Sequence, residues 1–559
     1  MNKSKLFQIL VLSFSLFAIP VMAQNVYHVN ISNGNDSNDG LRWSTAFKNI
    51  QPAIDAANEG DTVKVAEGTY HPTKKIAETH GSETNPSKPT SDLNRSFLLK
   101  KSIKLYGGFP ANASDATTMS SRDWTRNQTI LSGDFNNDDG RNFENMGENA
   151  YHVIVMINAS SNMLIDGFYI TGGGGEKEDA TSSVYVDNIL VEQTKGGGIY
   201  AMTASSAIID SSPVFSNLVI KNNKVLQNGG GIYNYSNGGS ASPTLRNVTM
   251  TNNFAGERGG AFYNDGKVAS KPRLLNVNII GNHADVEGGG FICIAEIEES
   301  SPILENVLIS GNKANVGAGI YIFSMSIHAY PVLTNTTICG NKANINGGVG
   351  GMYIASTGEA KPYIHNSIIW GNKSNVKGSD NLGTTGRGGN DYEITYSLIE
   401  GADLGGTNLS GDTDPKFVGH VDADFAPTVS DMGDYRLSAT SPLVNAGNND
   451  YVTLSFDLDG QNRIFGNIVD IGAFELQRNP DTTGNEAISV NKSIWSHQSD
   501  LYVKVGNSPV TIRIFSISGM LVKQINNPGE GTHAVTLPKG LYIVTLSTGE
   551  TAKILIGNN

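Results

Sequence analysis

Cysteine is nearly absent from this chain: Cys293 and Cys339 are the only two in 559 residues. That excludes a disulfide framework and a cysteine-based zinc site. Tryptophan is scarce at four residues, and charged residues make up only 17% of the sequence. Basic residues are outnumbered, 40 Lys and Arg against 53 Asp and Glu, for a formal net charge of −13. No basic patch stands ready to neutralise phosphates, which argues against nucleic-acid binding. His28, His71, His152, His328 and His420 show no metal-ligand spacing. Apolar runs of transmembrane length are missing after the first 23 residues.

Glycine, by contrast, is abundant at 64 residues, and asparagine is frequent. Both tolerate positive φ, so the composition predicts many short strands joined by tight corners. The N-terminus reads as an export signal. Lys3 and Lys5 precede the apolar stretch Leu6 to Pro20, and Val21-Met22-Ala23 supplies small residues for cleavage before Gln24. The stretch is short for a membrane anchor.

The middle of the chain repeats. A unit of the form Ser-Pro-x-Leu-x-Asn-Val-x-Ile-x-x-Asn, followed by Gly-Gly-Gly-Ile-Tyr, places prolines at 213, 243, 272, 302, 331 and 362. The period is roughly 30 residues, the range of solenoids. One asparagine column runs Asn217, Asn247, Asn276, Asn306, Asn335, Asn366, and a second runs Asn223, Asn253, Asn282, Asn312, Asn341, Asn372. Between them lies Ile220, Met250, Ile279, Ile309, Ile338, Ile369, and a further apolar column is Ile199, Ile232, Phe262, Phe291, Ile320, Met352. No unit can bury its apolar face alone, whereas stacked units place Ile on Ile and Asn on Asn about 4.8 Å apart. Stacked amides donate to one neighbour and accept from the other. The pattern therefore predicts an all-β fold, a right-handed parallel β-helix (a pectate-lyase-like solenoid). Leucine-rich-repeat and propeller signatures are absent. Ala53 to Asn58 reads as a short capping helix, Thr62 to Val65 as a strand, and residues 74–95 and 174–195 as projecting loops.

Several motifs carry a family resemblance. Tyr27-His28-Val29, Gly34-Asn35-Asp36, Trp43, Gly60-Asp61-Thr62 and Gly68-Thr69-Tyr70 resemble the opening of secreted β-helix repeat proteins, including polymorphic outer-membrane-protein-like ones. Asp414-Pro415-Lys416-Phe417, Tyr435-Arg436-Leu437, Asp457-Leu458-Asp459-Gly460 and Asp470-Ile471-Gly472-Ala473-Phe474-Glu475 resemble a choice-of-anchor Q region. After residue 488, about seven alternating runs predict a small β-sandwich. Within them Ile514-Phe515-Ser516, Ser518-Gly519 and Leu537-Pro538-Lys539-Gly540-Leu541-Tyr542 resemble the type A sorting domain of the type IX secretion system, although the usual Pro-Asn-Pro entry is missing. The resemblance implies an immunoglobulin-like sandwich, the type IX machinery as a partner, and passage through the outer membrane to the cell surface or the medium. The expected layout is a signal peptide at 1–23, the β-helix with its N-terminal cap at 24–395, and last rungs in an anchor-like region at 396–478. A linker at 479–487 and the sorting domain at 488–559 complete it.

Parallel β-helices host lyases, hydrolases and adhesins, so the fold leaves the function open. A lyase needs a base and a cation clustered on adjacent rungs. The outward columns Val219, Thr249, Asn278, Leu308, Thr337, Ile368 and Lys221, Thr251, Ile280, Ser310, Cys339, Trp370 hold one charge between them, and Arg246, Glu305 and His365 skip rungs. The densest polar group contains Glu257, Arg258, Asp265, His283, Asp285 and Glu287. Of these, Arg258, His283, Asp285 and Glu287 are the catalytic candidates, against a reading as solvated loop charge. Glu296, Glu298 and Glu299 supply carboxylates for glycoside hydrolysis without forming a constellation. Asp134-x-Asn136-x-Asp138-Asp139-Gly140 has the oxygen-rich spacing of a calcium loop, lacking Glu at its twelfth position, where Asn145 sits; Asp457-x-Asp459-Gly460 is a second candidate. Tyr200, Tyr233, Tyr263, Tyr321 and Tyr353 form a column broken by Ile292, and period-2 alternation points it outward as an aromatic ladder for sugar rings or as cover beneath a loop. These readings point to an exported adhesin or glycan-binding scaffold without catalysis, its partner a polysaccharide or host glycan and its candidate cofactor calcium. The alternatives are a polysaccharide lyase or glycosidase, and a ligand-free stalk.

Overall fold

The structure is a computed structural model that describes residues 24–76, 91–174, 183–203, 211–325, 328–345, 348–375, 380–386, 392–427 and 433–477, and most strand residues between 494 and 556. The signal-peptide segment and the 479–487 linker lie outside the described residues. The chain divides into two compact units, 1–478 and 479–559.

The first unit is the parallel β-helix that the repeat predicts. Val214–Lys221, Thr244–Thr251, Arg273–Ile280, Ile303–Ser310 and Val332–Cys339 stack as parallel neighbours, one rung on the next. Each segment turns a corner at its asparagine: Asn217, Asn247, Asn276, Asn306 and Asn335 all have φ between 48° and 55°. Asn enters this left-handed region more easily than other side chains, and that is why it recurs there. Ile199–Thr203, Ile232–Ser236, Phe262–Gly266, Phe291–Ala295, Ile320–Ser324 and Met352–Ser356 form a second face. Two-residue strands at Lys224–Val225, Phe254–Ala255, His283–Ala284, Lys313–Ala314 and Lys342–Ala343 form a short third face.

The core is the expected pair of aliphatic and aromatic columns, with Ile220, Met250, Ile279, Ile309, Ile338, Ile232, Phe262, Phe291 and Ile320 fully buried. The second asparagine column is buried beside it. Each Nδ2 from Asn223 to Asn341 donates to the next Oδ1 at 2.8–3.0 Å, and each backbone N–H of the column donates to the same oxygen. The polar corner is thereby satisfied rung by rung without water.

The helix spans Ile50–Ala56, three residues earlier than expected, and its Ile50, Ala53 and Ile54 join the N-terminal end of the core. Gln51 exchanges two hydrogen bonds with the backbone of Leu98, at 2.9 and 3.2 Å, on the edge strand Phe97–Leu99 of the second face. The helix thus covers an open core and an open sheet edge together.

Residues 396–478 depart from expectation. Among the described residues of this stretch only Leu398–Ile399 continues the coil, on Ile368–Trp370. The rest folds back as a strap over the outward side of the preceding rungs. Leu437, Leu443 and Ile471 pack on Ile368 and Leu398, and Tyr435 packs with Ile280, Leu308 and Cys339. Glu305 accepts from Thr453 Oγ1 at 2.7 Å, His365 stacks on Tyr451 at 3.9 Å, and Ala473 N–H donates to Thr337 Oγ1 at 3.1 Å. The strap covers the later members of those outward columns, Ile280, Glu305, Leu308, Thr337, Cys339, His365 and Ile368.

The second unit is a β-sandwich. Ile494–His497, Asp500–Val505 and Gly531–Thr536 form one antiparallel sheet, and Leu521–Asn526, Thr511–Ser516, Gly540–Leu546 and Thr551–Ile556 form the other. Leu501, Val503 and Val535 of the first meet Ile512, Ile514 and Val544 of the second in its own core. Ser518, Gly519 and Lys539 of the motif lie outside the described residues. No helix among the described residues is long and apolar enough to cross a membrane.

Candidate functional site

The tyrosine column points away from the core, as alternation requires, yet it is no open ladder. Tyr200, Tyr233 and Tyr263 are buried and stack at 5.2 Å intervals. Residues 183–192, expected to project, instead form an antiparallel hairpin, Ser183–Val186 with Ile189–Glu192. Its Val186 and Val191 lie on the stack, and Tyr200 Oη donates to Leu190 O at 3.3 Å. Tyr321 and Tyr353, beyond Ile292, are half-buried and meet at 5.6 Å. Of the five candidates, three are therefore withheld from any ligand. Beneath the same cover Tyr263 Oη donates to Asp265 at 3.0 Å, and burial pushes the Asp265 carboxyl up to about 6.

The four catalytic candidates separate into two pairs. Arg258 binds Glu287 at 3.0 Å on a corner beside the tyrosine face. His283 binds Asp285 at 3.3 Å on the short third face, where burial lowers the His283 pKa. Glu299 pairs with Lys271.

Sequence reasoning missed what surrounds His283. Lys224, Phe254, His283, Lys313, Lys342 and Lys373 are register partners on consecutive rungs. All six are half-buried, and Val225, Ala255, Ala284, Ala314 and Ala343, the next residues on the first five rungs, are buried. The third face is thus a cationic ladder backed by small apolar residues. Each member directly follows an asparagine of the buried column, from Asn223-Lys224 to Asn372-Lys373. That adjacency was the available signal. At the C-terminal end the ladder already holds carboxylates: Asp424 takes Lys342 at 3.0 Å and Lys373 at 2.6 Å, and Asp422 takes Lys373 at 2.6 Å. Lys313 has no carboxylate partner among the described residues.

The two calcium candidates differ. Asp457 is buried, and its oxygens accept N–H donors of Asp459, Gln461 and Glu475 at 2.8–3.0 Å; Asp459 binds Arg436. That pair caps a turn and holds an arginine. In the other loop Asn136 and Asp138 are exposed, whereas Asp134, Asp139 and Glu148 converge, each with a carboxylate oxygen within 4.8 Å of the others. Burial and neighbouring carboxylates push Asp139 up to about 6 and raise Glu148.

A cleft of about 970 Å³ opens between Trp370, Lys373, Asn381, Tyr392 and Glu400 at the C-terminal end of the coil. Residues 376–379 and 387–391 beside it lie outside the described residues, and no chemistry is assigned to it.

No family model matches this chain, and no curated protein matches it. Among solved structures, pectate lyase Pel9A is 15% identical over 82% of this chain and 97% of its own, with a TM-score of 0.36. XylC in complex with xylose is 10% identical over 81% and 98%, with a TM-score of 0.31. A rhamnogalacturonan lyase is 11% identical over 70% and 90%, with a TM-score of 0.25. Such values carry no argument about chemistry, and the coil is read from this chain's own strand pairing.

Proposed function

We propose that this chain is an exported β-helix protein that holds an anionic polysaccharide along its third face, at the cell surface or after release. The cationic ladder is the observation that carries the reading. Its rungs repeat about every 4.8 Å, and ammonium groups stand on four of the six, Lys224 and the consecutive Lys313, Lys342 and Lys373, a spacing that a polymer of repeating carboxylates can meet. The chain's own Asp424, shared between Lys342 and Lys373, illustrates the contact such a carboxylate would make. The net charge of −13 opposes a polyanion at long range. At physiological ionic strength that field is screened beyond about 8 Å, which leaves the local ladder to govern contact.

The test is retention of the mature chain by polygalacturonate against its methyl-esterified, uncharged form. Preferential retention of the acid form is expected, weakening at least tenfold in a Lys224→Glu/Lys313→Glu double variant and falling with added salt. Equal retention of both polymers, or no effect of the double substitution, overturns the reading. A polysaccharide lyase is the second reading, favoured by the His283–Asp285 pair beside Lys313. There a base would take the proton at C5, the C4–O bond would break toward a protonated leaving group, and a C4=C5 double bond would form. A rise in ultraviolet absorbance in the same samples would install it.

A further inference from the structure

We propose that Asp422 and Asp424 are a built-in competitor for the third face: they occupy Lys342 and Lys373 as the carboxylates of a polymer would, and a polyanion must displace them to engage those two rungs. The inference rests on the polysaccharide reading and names how that site is regulated. Asp424 lies in the short turn Ala423–Phe425 and Asp422 directly precedes it, where the strap meets the last two rungs of the ladder. Asp424 N–H donates to Asp422 Oδ1 at 2.9 Å, which fixes one carboxylate beside the other. Lys373 Nζ lies 2.6 Å from Asp422 Oδ1 and 2.6 Å from Asp424 Oδ2, and Lys342 Nζ lies 3.0 Å from Asp424 Oδ1. Asp424 thus gives one oxygen to each of two successive rungs, the contact a bound polymer would repeat.

The turn is held in place without these ion pairs. Ala423 is fully buried, and the His420 ring meets Trp370 at 5.0 Å. Phe417–Gly419, which leads into the turn, pairs with Asp434–Leu437, and Tyr435 of that strand packs on Ile280, Leu308 and Cys339. The side chains of Asp422 and Asp424, by contrast, are about half exposed. Exposed ion pairs contribute little net stability. The two carboxylates can therefore swing off the lysines while the turn stays docked. A tethered group faces its partner at high effective concentration, so it outcompetes a single free carboxylate. A polymer already held at Lys313 is tethered in the same way and displaces it, so the device favours long chains over short ones.

Retention of Asp422→Asn/Asp424→Asn by polygalacturonate tests this, because Asn keeps the acceptor that the turn uses and removes the charge. The mature double variant should bind at least fivefold tighter than the parent. Glu298→Gln/Glu393→Gln removes the same charge from exposed positions off the third face and should stay within twofold of the parent. A second measurement needs no polymer. Limited acetylation, read lysine by lysine by mass spectrometry, should proceed at least threefold faster at Lys342 and Lys373 in the variant and at an unchanged rate at Lys313. If the variant binds no tighter, while Lys224→Glu/Lys313→Glu still weakens binding, the competitor is overturned and the polysaccharide reading stands. Retention of neither parent nor variant overturns both. An equal gain in the Glu298/Glu393 control, or unchanged acetylation of Lys342 and Lys373, also overturns the competitor.

Discussion

At the residue scale, the asparagines do two different jobs that the sequence shows as two similar columns. Asn217 and its equivalents set the backbone: all take a positive φ, whether the side chain is exposed as in Asn247 or buried as in Asn306, Asn335 and Asn366. Asn223 and its equivalents are there for the side chain, as links in a buried chain of amides. Substitution separates the roles. Asn312→Leu removes the acceptor of both the N–H and Nδ2 of Asn282, and the donor to Asn341 Oδ1 and Ile279 O. Leaving such groups buried and unpaired should cost about 3 kcal/mol. Asn247→Gly keeps the left-handed corner and should cost less than about 1 kcal/mol. Denaturant unfolding of the mature chain should rank the two in that order, and equal midpoints would refute the division. The columns were legible because stacking forces identical residues onto identical sites. The lysine ladder stands one residue further on, and Phe254 and His283 interrupt it, so no single residue type marks it.

At the scale of elements, the tyrosine face shows what a repeat pattern leaves out. Alternation correctly turns Tyr200, Tyr233 and Tyr263 away from the core, but it carries no information about a covering hairpin outside the repeat. The hairpin itself alternates, Val184, Val186, Ile189 and Val191 all touching the apolar patch above the tyrosines. A two-stranded hairpin is marginal alone, so its order depends on that patch. Val186→Ala with Val191→Ala removes two methylenes' worth of apolar volume at each site, at about 0.8 kcal/mol per methylene. The pair should loosen the hairpin without unfolding the coil. Amide exchange should accelerate across 183–192 and leave 232–236 protected, and binding of a hydrophobic dye should rise as Tyr200 and Tyr233 are uncovered. Exchange that rises equally in both segments would show that the hairpin belongs to the coil's own cooperative unit. The strap at 402–476 is the same lesson on the other flank. Thr337, Leu308 and Ile368 read as an uncharged outward column, and they are uncharged because a later stretch of chain lies on them.

At the scale of the molecule, the two units have separate cores, Ile220 to Ile338 and their neighbours in one and Leu501, Val503, Ile512 and Val544 in the other. Among the described residues, the β-helix core cluster has no member beyond Ile399 and the sandwich core cluster none before Leu501. A sorting module is expected to have this independence, since it must be recognised while its cargo varies. The sorting resemblance and the separate cores therefore make one joint prediction. Cells producing a chain that stops at Arg478 should accumulate it in the periplasm, folded, with a melting transition of the β-helix within a few degrees of that in the full chain. The full chain should reach the surface or the medium. Normal export of the shortened chain would remove the sorting role from residues 479–559 and leave them as a β-sandwich of other purpose. A shortened chain that is retained but unfolded would instead show that the C-terminal unit supports the coil, against the evidence of two self-contained cores. Retention of a folded β-helix is the one outcome that assigns export to the sandwich.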